Sequence, residues 1–453
     1  MTDVEINGAV LVFTALLAVG TSVLIGLVPA IQMSRNGSGS QLKSGDRGST
    51  GRSRLRQMLV VCQTAIAVVL LVAAGLLVKS FIKLTAVPSG IQSDRVLTTR
   101  VTLPATRYPD RSAIATFFAE LLTRVRVLPG VRSAGAASGL PLAVASGDWG
   151  FDIEGRGRVN GRRPGAADWF VVTPGYFETL GIPLRRGRLP NDADTSDAAP
   201  VVFINEASAR AMFANTDPIG RRIRLSQTTG GEQPWRTIVG IVGDVRHRGL
   251  DTPPHTEMYI PDRQFLHFSA GAQARALNVV IKTEQDPTAS AAAVRAAVRG
   301  IDPDVPAAQI RTMSTIVSES VADRRLNVLL IGAFGVLALA LASIGLYGVM
   351  AYAVTQRTRE IGVRLAIGAS RASVLSLVVG NAMRLVTIGV AIGLVLSLVA
   401  TGSLSRLLFE VGPRDLSVYV LVPLILLLTA VIASYLPARR ATRVDPVTAL
   451  RAE

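Results

Sequence analysis

The sequence predicts a membrane α-helical protein with about five transmembrane helices and a large extracytoplasmic α+β domain. The first observation is a set of five apolar runs that contain no charged residue, and about 20 helical residues cross the hydrocarbon layer of a bilayer. The second is a long polar stretch between the second and third runs, from residue 80 to residue 326. The third is composition: 49% of the 453 residues are hydrophobic, 18% are charged and the mean hydropathy is +0.40, whereas about a quarter of the residues of a soluble domain are charged.

The five runs occupy residues 8–31, 58–78, 327–354, 385–404 and 416–437. Buried helices of a soluble core are the alternative, but they would show shorter apolar runs of about 10–14 residues. The first run does not look like a signal peptide, because acidic Asp3 and Glu5 precede it and its apolar stretch is too long. All five runs are therefore predicted to span a membrane.

Basic residues are concentrated in three short segments outside the runs. Residues 32–57 hold six basic residues and one acidic residue, residues 351–373 hold four and one, and residues 438–453 hold four and two. Short basic segments stay in the cytoplasm, whereas long domains cross a membrane largely regardless of their charge. One orientation satisfies all five runs: the polar stretch lies outside the cell membrane and the C-terminus lies inside.

The net charge of +16 does not indicate a nucleic-acid partner. Aromatic residues make up only 5% of the chain, and the basic excess is explained by membrane topology and by contact with anionic lipid headgroups. A single cysteine, Cys62, and three histidines provide neither an internal disulfide nor a Cys/His zinc site. His247, which lies between two arginines, is interpreted as a surface histidine and not as a catalytic base. We expect no metal and no organic cofactor.

The polar stretch has the pattern of a mixed α+β domain. Alternating or β-rich segments predict strands, and segments with helical periodicity predict helices, the first of them stopped by Pro129 and Gly130. Strands are predicted at residues 96–103, 149–153, 169–173, 200–204 and 237–242, and helices at residues 111–128, 206–213, 288–299 and 314–326. A change of composition at residues 155–165 suggests a boundary between two subdomains.

The segments that follow Pro29 and Pro437 repeat each other. Each proline ends an apolar run, is followed by alanine, then by Ser/Thr-Arg, and after thirteen residues by leucine with a basic neighbour. Two helices that end alike independently would explain this pattern. The interpretation that we favour is a duplication, in which the first run is the last helix of a preceding unit and the chain holds one and a quarter units.

Several stretches resemble one known family. Within the polar stretch, VTPGYFETLGIPLRRGR (172–188), INEA (204–207), DPIG (217–220) and VGIVGDVR (239–246) resemble the periplasmic core domain of MacB-type ABC transporter permeases. Near the end, TREIGVRLAIGA (358–369) and PARRA (437–441) resemble the FtsX-like permease domain. The likeness extends from about residue 54 onward and is closest to the C-terminal part of a duplicated, two-unit permease. The front departs from that pattern, since only the last helix of the first unit is present.

The resemblance implies four parts. Residues 1–57 would be the last transmembrane helix of a preceding permease unit with a basic cytoplasmic linker, and residues 58–79 a transmembrane helix. Residues 80–326 would be the extracytoplasmic MacB-like core domain, with two subdomains. Residues 327–453 would be the FtsX-like permease domain, with three transmembrane helices and a cytoplasmic coupling helix at about 356–370.

The segment at 356–370 is amphipathic. At 3.6 residues per turn Ile361 and Gly368 share one face, while Glu360 and Arg364 lie close together on another. In the family that the chain resembles, this element docks into the ATPase subunit; a basic loop on the membrane surface is the alternative. The expected coupling residues are Arg357, Arg359, Glu360, Ile361, Gly362, Arg364, Ala366 and Gly368.

Glycines at two positions of the fourth run indicate close helix packing. Gly389 and Gly393 are four residues apart and form the G-x3-G spacing that lets two helix backbones approach. The signal is weak, because the run is rich in glycine. Both residues are nevertheless predicted to lie at a helix–helix contact.

The chain is expected to be a non-catalytic subunit. Residues 37–44 approach the pattern of a phosphate-binding loop, but Leu42 stands where that loop requires glycine, and the segment follows a membrane helix instead of a strand. ATP would therefore be bound and hydrolysed by a separate subunit.

The resemblance implies a permease subunit of an ABC transporter in the bacterial inner membrane. Its role would be mechanotransmission, in which ATP-driven movement at the inner face reaches the outer domain and acts in efflux or extraction of a substrate there. The expected partners are an ABC ATPase subunit, membrane lipid and a second permease unit, either a second copy or the missing N-terminal half. The alternative is an extracytoplasmic sensor, which should carry a larger cytoplasmic output domain than these short inner segments provide.

Overall fold

Long apolar helices occupy four of the five predicted runs. The computed structural model describes residues 47–143, 147–157, 163–214, 216–225, 233–265, 275–356, 370–404 and 408–442, with a few positions in 8–19 and 361–367. With helices numbered in chain order, the four are α1 (Arg47–Thr85), α7 (Ala322–Gln356), α8 (Arg371–Leu404) and α9 (Leu416–Ala441). Each is long and apolar enough to cross a membrane. The first predicted run and residues 37–44 lie almost entirely outside the described residues.

A β-rich domain lies between α1 and α7 in the chain. Its strands are β1 (Val96–Thr102), β2 (Val131–Ala137), β3 (Asp148–Ile153), β4 (Gly165–Val172), β5 (Leu184–Gly187), β6 (Val201–Asn205), β7 (Arg222–Leu225), β8 (Arg236–Val242), β9 (Glu257–Pro261), β10 (Ala276–Thr283) and β11 (Ala307–Thr312). Its helices are α2 (Arg111–Arg126), α3 (Tyr176–Leu180), α4 (Glu206–Phe213), α5 (Ala291–Arg299) and α6 (Met313–Ser320). With the four apolar helices, this domain confirms the predicted fold class of a helical membrane protein with a large α+β domain.

The strands form one sheet with two differently built parts. The first part has the order β11-β1-β10-β2 and is antiparallel throughout. The second part, β4-β3-β7-β8-β6-β9, closes on itself because β9 pairs in parallel with β4. A single pair of Cα partners, Ala137 and Val172, joins the two parts. Closure of the second part leaves fewer unpaired strand edges exposed to solvent.

Helix α2 illustrates how the sequence pattern produces the domain core. The Asp110 carboxylate accepts a hydrogen bond from the backbone N–H of Ala113 at 2.8 Å and so caps the first turn. Phe117 and Leu121, one helical turn apart, are almost completely buried in the main core cluster. The helix ends at Arg126, close to the predicted stop, and Gly130 follows with φ +77°.

Two predictions about this domain are wrong in detail. Residues 314–326 do not form one helix: α6 ends at Ser320, Val321 has φ −113° and ψ 6°, and α7 begins at Ala322. Val321 belongs to a small apolar cluster with Leu84, which explains why the chain turns there. Residues 155–165 are no boundary either, because they lie between β3 and β4, which pair with each other in a hairpin. The weakest connection within the sheet, a single pair of Cα partners, lies between β2 and β4 instead.

The chain divides into two compact units. The helical unit contains Met1–Val69, Val336–Ser397 and Tyr419–Glu453, and the sheet unit contains Leu70–Gly335 and Leu398–Val418. The division therefore passes through α1, α7, α8 and α9. The sheet unit contains the β-rich domain together with the end of α1, the beginning of α7 and the segment that joins α8 to α9.

Candidate functional site

The predicted coupling segment presents both a buried and an exposed apolar side chain. Ile361 is 4% exposed and packs with Val374 and Val354. Ile367 is 82% exposed, and its N–H donates to the carbonyl oxygen of Val363 at 3.0 Å. The two isoleucines therefore differ, since Ile361 anchors the segment to the beginning of α8 while Ile367 is open to its surroundings.

Ser370 fixes the end of the coupling segment. Its hydroxyl oxygen accepts a hydrogen bond from the N–H of Ser373 at 3.2 Å, which is the N-cap geometry of α8. Arg364, another expected coupling residue, is exposed. The other expected coupling residues lie outside the described residues: Arg357, Arg359, Glu360, Gly362, Ala366 and Gly368.

Gly389 and Gly393 both face helix α1 within the helical unit. A Cβ atom placed on Gly389 would lie 2.7 Å from the Cβ of Thr64 and 2.9 Å from the carbonyl oxygen of Val61. One placed on Gly393 would lie 2.7 Å from the carbonyl oxygen of Ala65. These distances are too short for any side chain, so the two glycines permit a backbone approach that no other residue would allow.

Two of the motifs quoted above, INEA (204–207) and VGIVGDVR (239–246), contact each other in the sheet unit. Asp244 follows β8, and its carboxylate accepts a hydrogen bond from the N–H of Ala207 at 2.7 Å and pairs with Arg210 of α4. The Asn205 side chain caps the same helix through the N–H of Ser208 at 2.9 Å. The N-terminus of α4 therefore receives a carboxylate and an amide oxygen, as its dipole and free N–H groups favour. In these motifs the polar side chains stabilise the domain, which is a structural role.

The prediction that His247 is a surface residue is wrong. Its side chain is completely buried, stacks on Phe170 with 4.3 Å between ring centroids, and places Nδ1 2.7 Å from a carboxylate oxygen of Glu257. The neighbouring Arg248 reaches the carboxylate of Asp168 instead. The charged neighbours misled the interpretation, because their side chains reach other partners while the imidazole between them enters the core.

Tyr259 completes this buried polar group. Its hydroxyl donates to the second oxygen of Glu257 at 2.6 Å. Burial, with the adjacent Glu257 carboxylate, raises the pKa of Tyr259 well above its usual value, so the hydroxyl keeps its proton. One sequence pattern could have indicated this group. Strand β9 (Glu257–Pro261) begins with a carboxylate and is otherwise apolar.

Two protein families match consecutive parts of the chain. The family described as MacB-like periplasmic core domain matches residues 58–301, more than half of the chain, and the family described as FtsX-like permease C-terminal matches residues 332–446. Among curated relatives, the macrolide export ATP-binding/permease protein MacB of Mannheimia succiniciproducens is 28% identical over 287 residues, and that of Hahella chejuensis is 29% identical over 283. Each alignment covers 61% of this chain and 42% of the relative. The chain thus spans about two fifths of the length of these relatives.

Two solved structures of transporter domains align with part of the chain. The periplasmic region of MacB from Actinobacillus actinomycetemcomitans aligns with 16% identity and a TM-score of 0.34, over 52% of this chain and 95% of that one. The extracellular domain of the ABC-type transporter YknZ from Gram-positive bacteria aligns with 17% identity and a TM-score of 0.32, over 48% and 100%. On the matched sequence families, which together extend from residue 58 to residue 446, the chain belongs to the MacB/FtsX-type family of ABC transporter permeases.

Proposed function

We propose that this chain is the non-catalytic membrane subunit of an ABC transporter that couples ATP hydrolysis by a separate subunit to movement of its β-rich domain. The chain would lie in the bacterial inner membrane with that domain on the extracytoplasmic side. The work done there would be efflux or extraction of a substrate, and the curated relatives are named for macrolide export. A second permease unit, either another copy or a matching half, would complete the membrane part.

The observation that carries the proposal is the exposed Ile367 in the basic segment between α7 and α8. An apolar side chain that is 82% exposed, within a segment of four basic residues and one acidic residue at 351–373, has the composition of a protein contact: an apolar anchor with a charged surround. Ile361, buried against Val374, ties the same segment to the beginning of α8. A force applied at Ile367 would therefore be passed to α8.

The orientation of the proposal follows from charge. The three short basic segments are all placed on the cytoplasmic side by the preference of short basic segments for that side, and the coupling segment is one of them. An ATPase subunit in the cytoplasm would then have access to Ile367. The β-rich domain would lie on the opposite side of the membrane.

The test compares coupling-segment variants with a matched control after reconstitution with the cognate ABC ATPase. Ile367→Ser removes the exposed apolar side chain, Gly368→Trp blocks close approach, and Glu360→Lys reverses a charge within the basic segment. Loss of a charge-assisted contact in a docked interface costs about 2–5 kcal/mol, which applies to Glu360→Lys, and loss of an apolar anchor costs about 2 kcal/mol or more. ATPase binding and permease-dependent ATP hydrolysis should therefore fall strongly. The control is Val127→Ser, which removes a side chain that is 78% exposed in the sheet unit.

The expected result is a normally inserted, folded protein with reduced ATPase binding for all three coupling variants, and no change for the control. If Ile367→Ser and Gly368→Trp bind the ATPase and stimulate it like the unmodified chain, the docking role is wrong. The segment would then be only a basic loop that sets topology.

A further inference from the structure

The segment that joins α8 to α9 is fastened to the end of α1 by polar contacts. The Lys79 ammonium donates to both carboxylate oxygens of Asp415, at 2.8 and 2.7 Å, and to the hydroxyl of Ser417 at 2.9 Å. All three N–H donors of the ammonium group are therefore used. Lys79 is also the first charged residue after the apolar run at 58–78. This pairing is an arrangement that no sequence pattern had indicated.

Two further contacts come from nearby positions of α1, one from the residue next to Lys79 and one from a helical turn beyond it. The Lys83 ammonium donates to the carbonyl oxygen of Glu410 at 2.6 Å. The N–H of Phe409 donates to the hydroxyl of Ser80 at 2.8 Å. Lys83 lies four residues after Lys79 and three after Ser80, so the three side chains lie on the same side of the helix. Residues near both ends of the segment 408–418 therefore contact that side of α1.

The segment carries backbone strain at the point of attachment. Glu410 has φ +50°, in the left-handed region that non-glycine residues rarely adopt. Such a conformation persists only where surrounding contacts hold it. Here the Glu410 carbonyl accepts from Lys83, and the N–H of the preceding residue donates to Ser80.

Apolar contacts connect the same segment to the β-rich domain. Phe409 packs in a small cluster with Leu84 and Phe81 of α1, Leu142 and Leu250 of the domain, and Val321, which lies between α6 and α7. At the other end, Val418 lies so close to Gly75 that a Cβ on the glycine would be 2.9 Å from a Val418 methyl. The segment, α1 and the domain therefore share one packed cluster inside the sheet unit.

We propose that residues 408–418 act as a strap that makes the outer ends of α8 and α9 move together with α1 and the β-rich domain. The strap rests on the proposed transport function and specifies one of its parts: a displacement of the last two helices would reach the domain through Lys79–Asp415 and Phe409, in addition to the direct continuation of α1 and α7. Lys79 and Asp415 are positioning residues in this scheme.

The charge state of the strap is constant under physiological conditions. Hydrogen bonds from the Lys79 ammonium, and then from the Ser417 hydroxyl, lower the pKa of Asp415 to about 2. The carboxylate therefore stays ionised at neutral and mildly acidic pH. The ion pair would act as a permanent connection and not as a pH switch.

The experiment uses charge reversal in the full chain, reconstituted in lipid with the cognate ABC ATPase. The variants are Lys79→Glu, Asp415→Lys and the double reversal, which restores opposite charges. The matched control is Arg414→Glu, a charge reversal at the adjacent exposed position, for which no side-chain contact is found among the described residues. Two readouts are taken: hydrogen exchange at the Phe409 amide and ATP hydrolysis that depends on the permease.

Each single reversal should speed exchange at Phe409 by roughly tenfold or more, the factor that corresponds to loss of a hydrogen bond to a charged group, and should lower permease-dependent ATP hydrolysis. The double reversal should recover both, and Arg414→Glu should change neither. Fast exchange at Phe409 in the unmodified chain would overturn the strap directly.

The outcome also separates this inference from the proposed function. If the single reversals free Phe409 but leave coupling intact, while Ile367→Ser abolishes coupling, the strap is wrong and the transport function stands. If neither set of variants affects ATP hydrolysis, the proposed function fails and the strap falls with it.

Discussion

The Nδ1 atom of His247 lies 2.7 Å from a carboxylate oxygen of Glu257, and both side chains are fully excluded from solvent. Tyr259 donates to the other oxygen of the same carboxylate. A buried carboxylate is costly unless hydrogen-bond donors compensate for its lost hydration. This group of three side chains therefore connects β9 with the loop after β8.

The first prediction concerns Glu257→Leu. The substitution leaves the imidazole and the Tyr259 hydroxyl buried with one partner fewer each, and each buried unsatisfied group costs about 1–3 kcal/mol. Two such groups cost about 2–6 kcal/mol together, so the Tm of the sheet unit should fall by roughly 4–24 °C, since about 1 kcal/mol corresponds to about 2–4 °C for a domain of this size. Thermal unfolding followed by tryptophan fluorescence measures it, because all three tryptophans lie in the sheet unit.

Glu178→Leu is the matched control for this substitution. Glu178 is exposed, so its replacement should shift the Tm by little, as is usual for surface positions. A Glu257→Leu variant that unfolds at the same temperature as the control would show that the buried group contributes no net stability.

The second prediction is a pH dependence that comes from Asp262. This residue borders a small cavity lined by Ile114, Phe118 and Leu277, and burial raises the pKa of its carboxyl to about 6. A carboxyl whose pKa is higher in the folded state stabilises the fold when protonated, and that contribution is lost as the pH rises from about 4 to 6. At pH 7.5 the charged form should cost about 3 kcal/mol.

Asp262→Asn tests this directly. The amide cannot ionise, so the variant should unfold at a higher temperature than the unmodified chain at pH 7.5 and at nearly the same temperature at pH 4.5. Asp197→Asn, at an exposed position on a nearby loop, controls for the change in net charge. A Tm difference between Asp262→Asn and the unmodified chain that does not vary with pH would contradict the assignment.

Much of the α+β domain could be predicted from local pattern. Helices α2 and α4 follow from their apolar periodicity and from the caps at Asp110 and Asn205, and β6 and β8 follow from their runs of β-branched residues. These signals are local, because periodicity and capping involve residues within one element. Local signals of this kind are enough to place an element in the chain.

Strand β2 could not be predicted in this way. Its sequence, VRSAGAA, is poor in β-branched and aromatic residues. It is a strand because it pairs with β10, and its side chains are small because α3 lies close: a Cβ on Gly135 would lie 2.4 Å from the backbone nitrogen of Tyr176. The parallel pairing of β4 with β9 is likewise invisible in sequence, because it joins segments about 90 residues apart.

The candidate sites also differ in whether a local sequence signal indicates them. The spacing of Gly389 and Gly393 is a local signal, and both glycines lie against α1. The Lys79–Asp415 pair joins residues that are 336 positions apart, and His247 lies between two arginines that indicate a surface. Both interactions depend on tertiary packing: the Lys79–Asp415 pair had no sequence signature, and the only signal for the buried histidine group was the carboxylate that begins the apolar strand β9.

The third prediction concerns membrane orientation and uses cysteine labelling in a Cys62→Ala background. A cysteine at Ser370, in the inner basic segment, should be protected from a membrane-impermeant thiol reagent in intact cells. One at Ser196, exposed in the sheet unit, should react. Both should react after the membrane is permeabilised, which shows that each thiol is accessible in itself. Reaction of the Ser370→Cys variant in intact cells would reverse the orientation and place the coupling segment out of reach of a cytoplasmic ATPase.

The fourth prediction is that alanine lowers the thermal stability of the helices at one glycine of α8 and raises it at another. Gly393→Ala places a methyl group 2.7 Å from the carbonyl oxygen of Ala65 and 2.6 Å from the Cβ of Val68, and backbone atoms cannot move away cheaply. Overpacking of this kind costs about 1–3 kcal/mol, so the helices should lose their circular dichroism signal at 222 nm at a lower temperature in detergent. Gly380→Ala is the control, because nothing lies within 4 Å of its Cβ; there alanine should stabilise the helix by roughly 0.5–1 kcal/mol. Equal shifts for the two variants would mean that Gly393 has no close neighbour on α1, and the packing of α8 against α1 through this glycine would have to be abandoned.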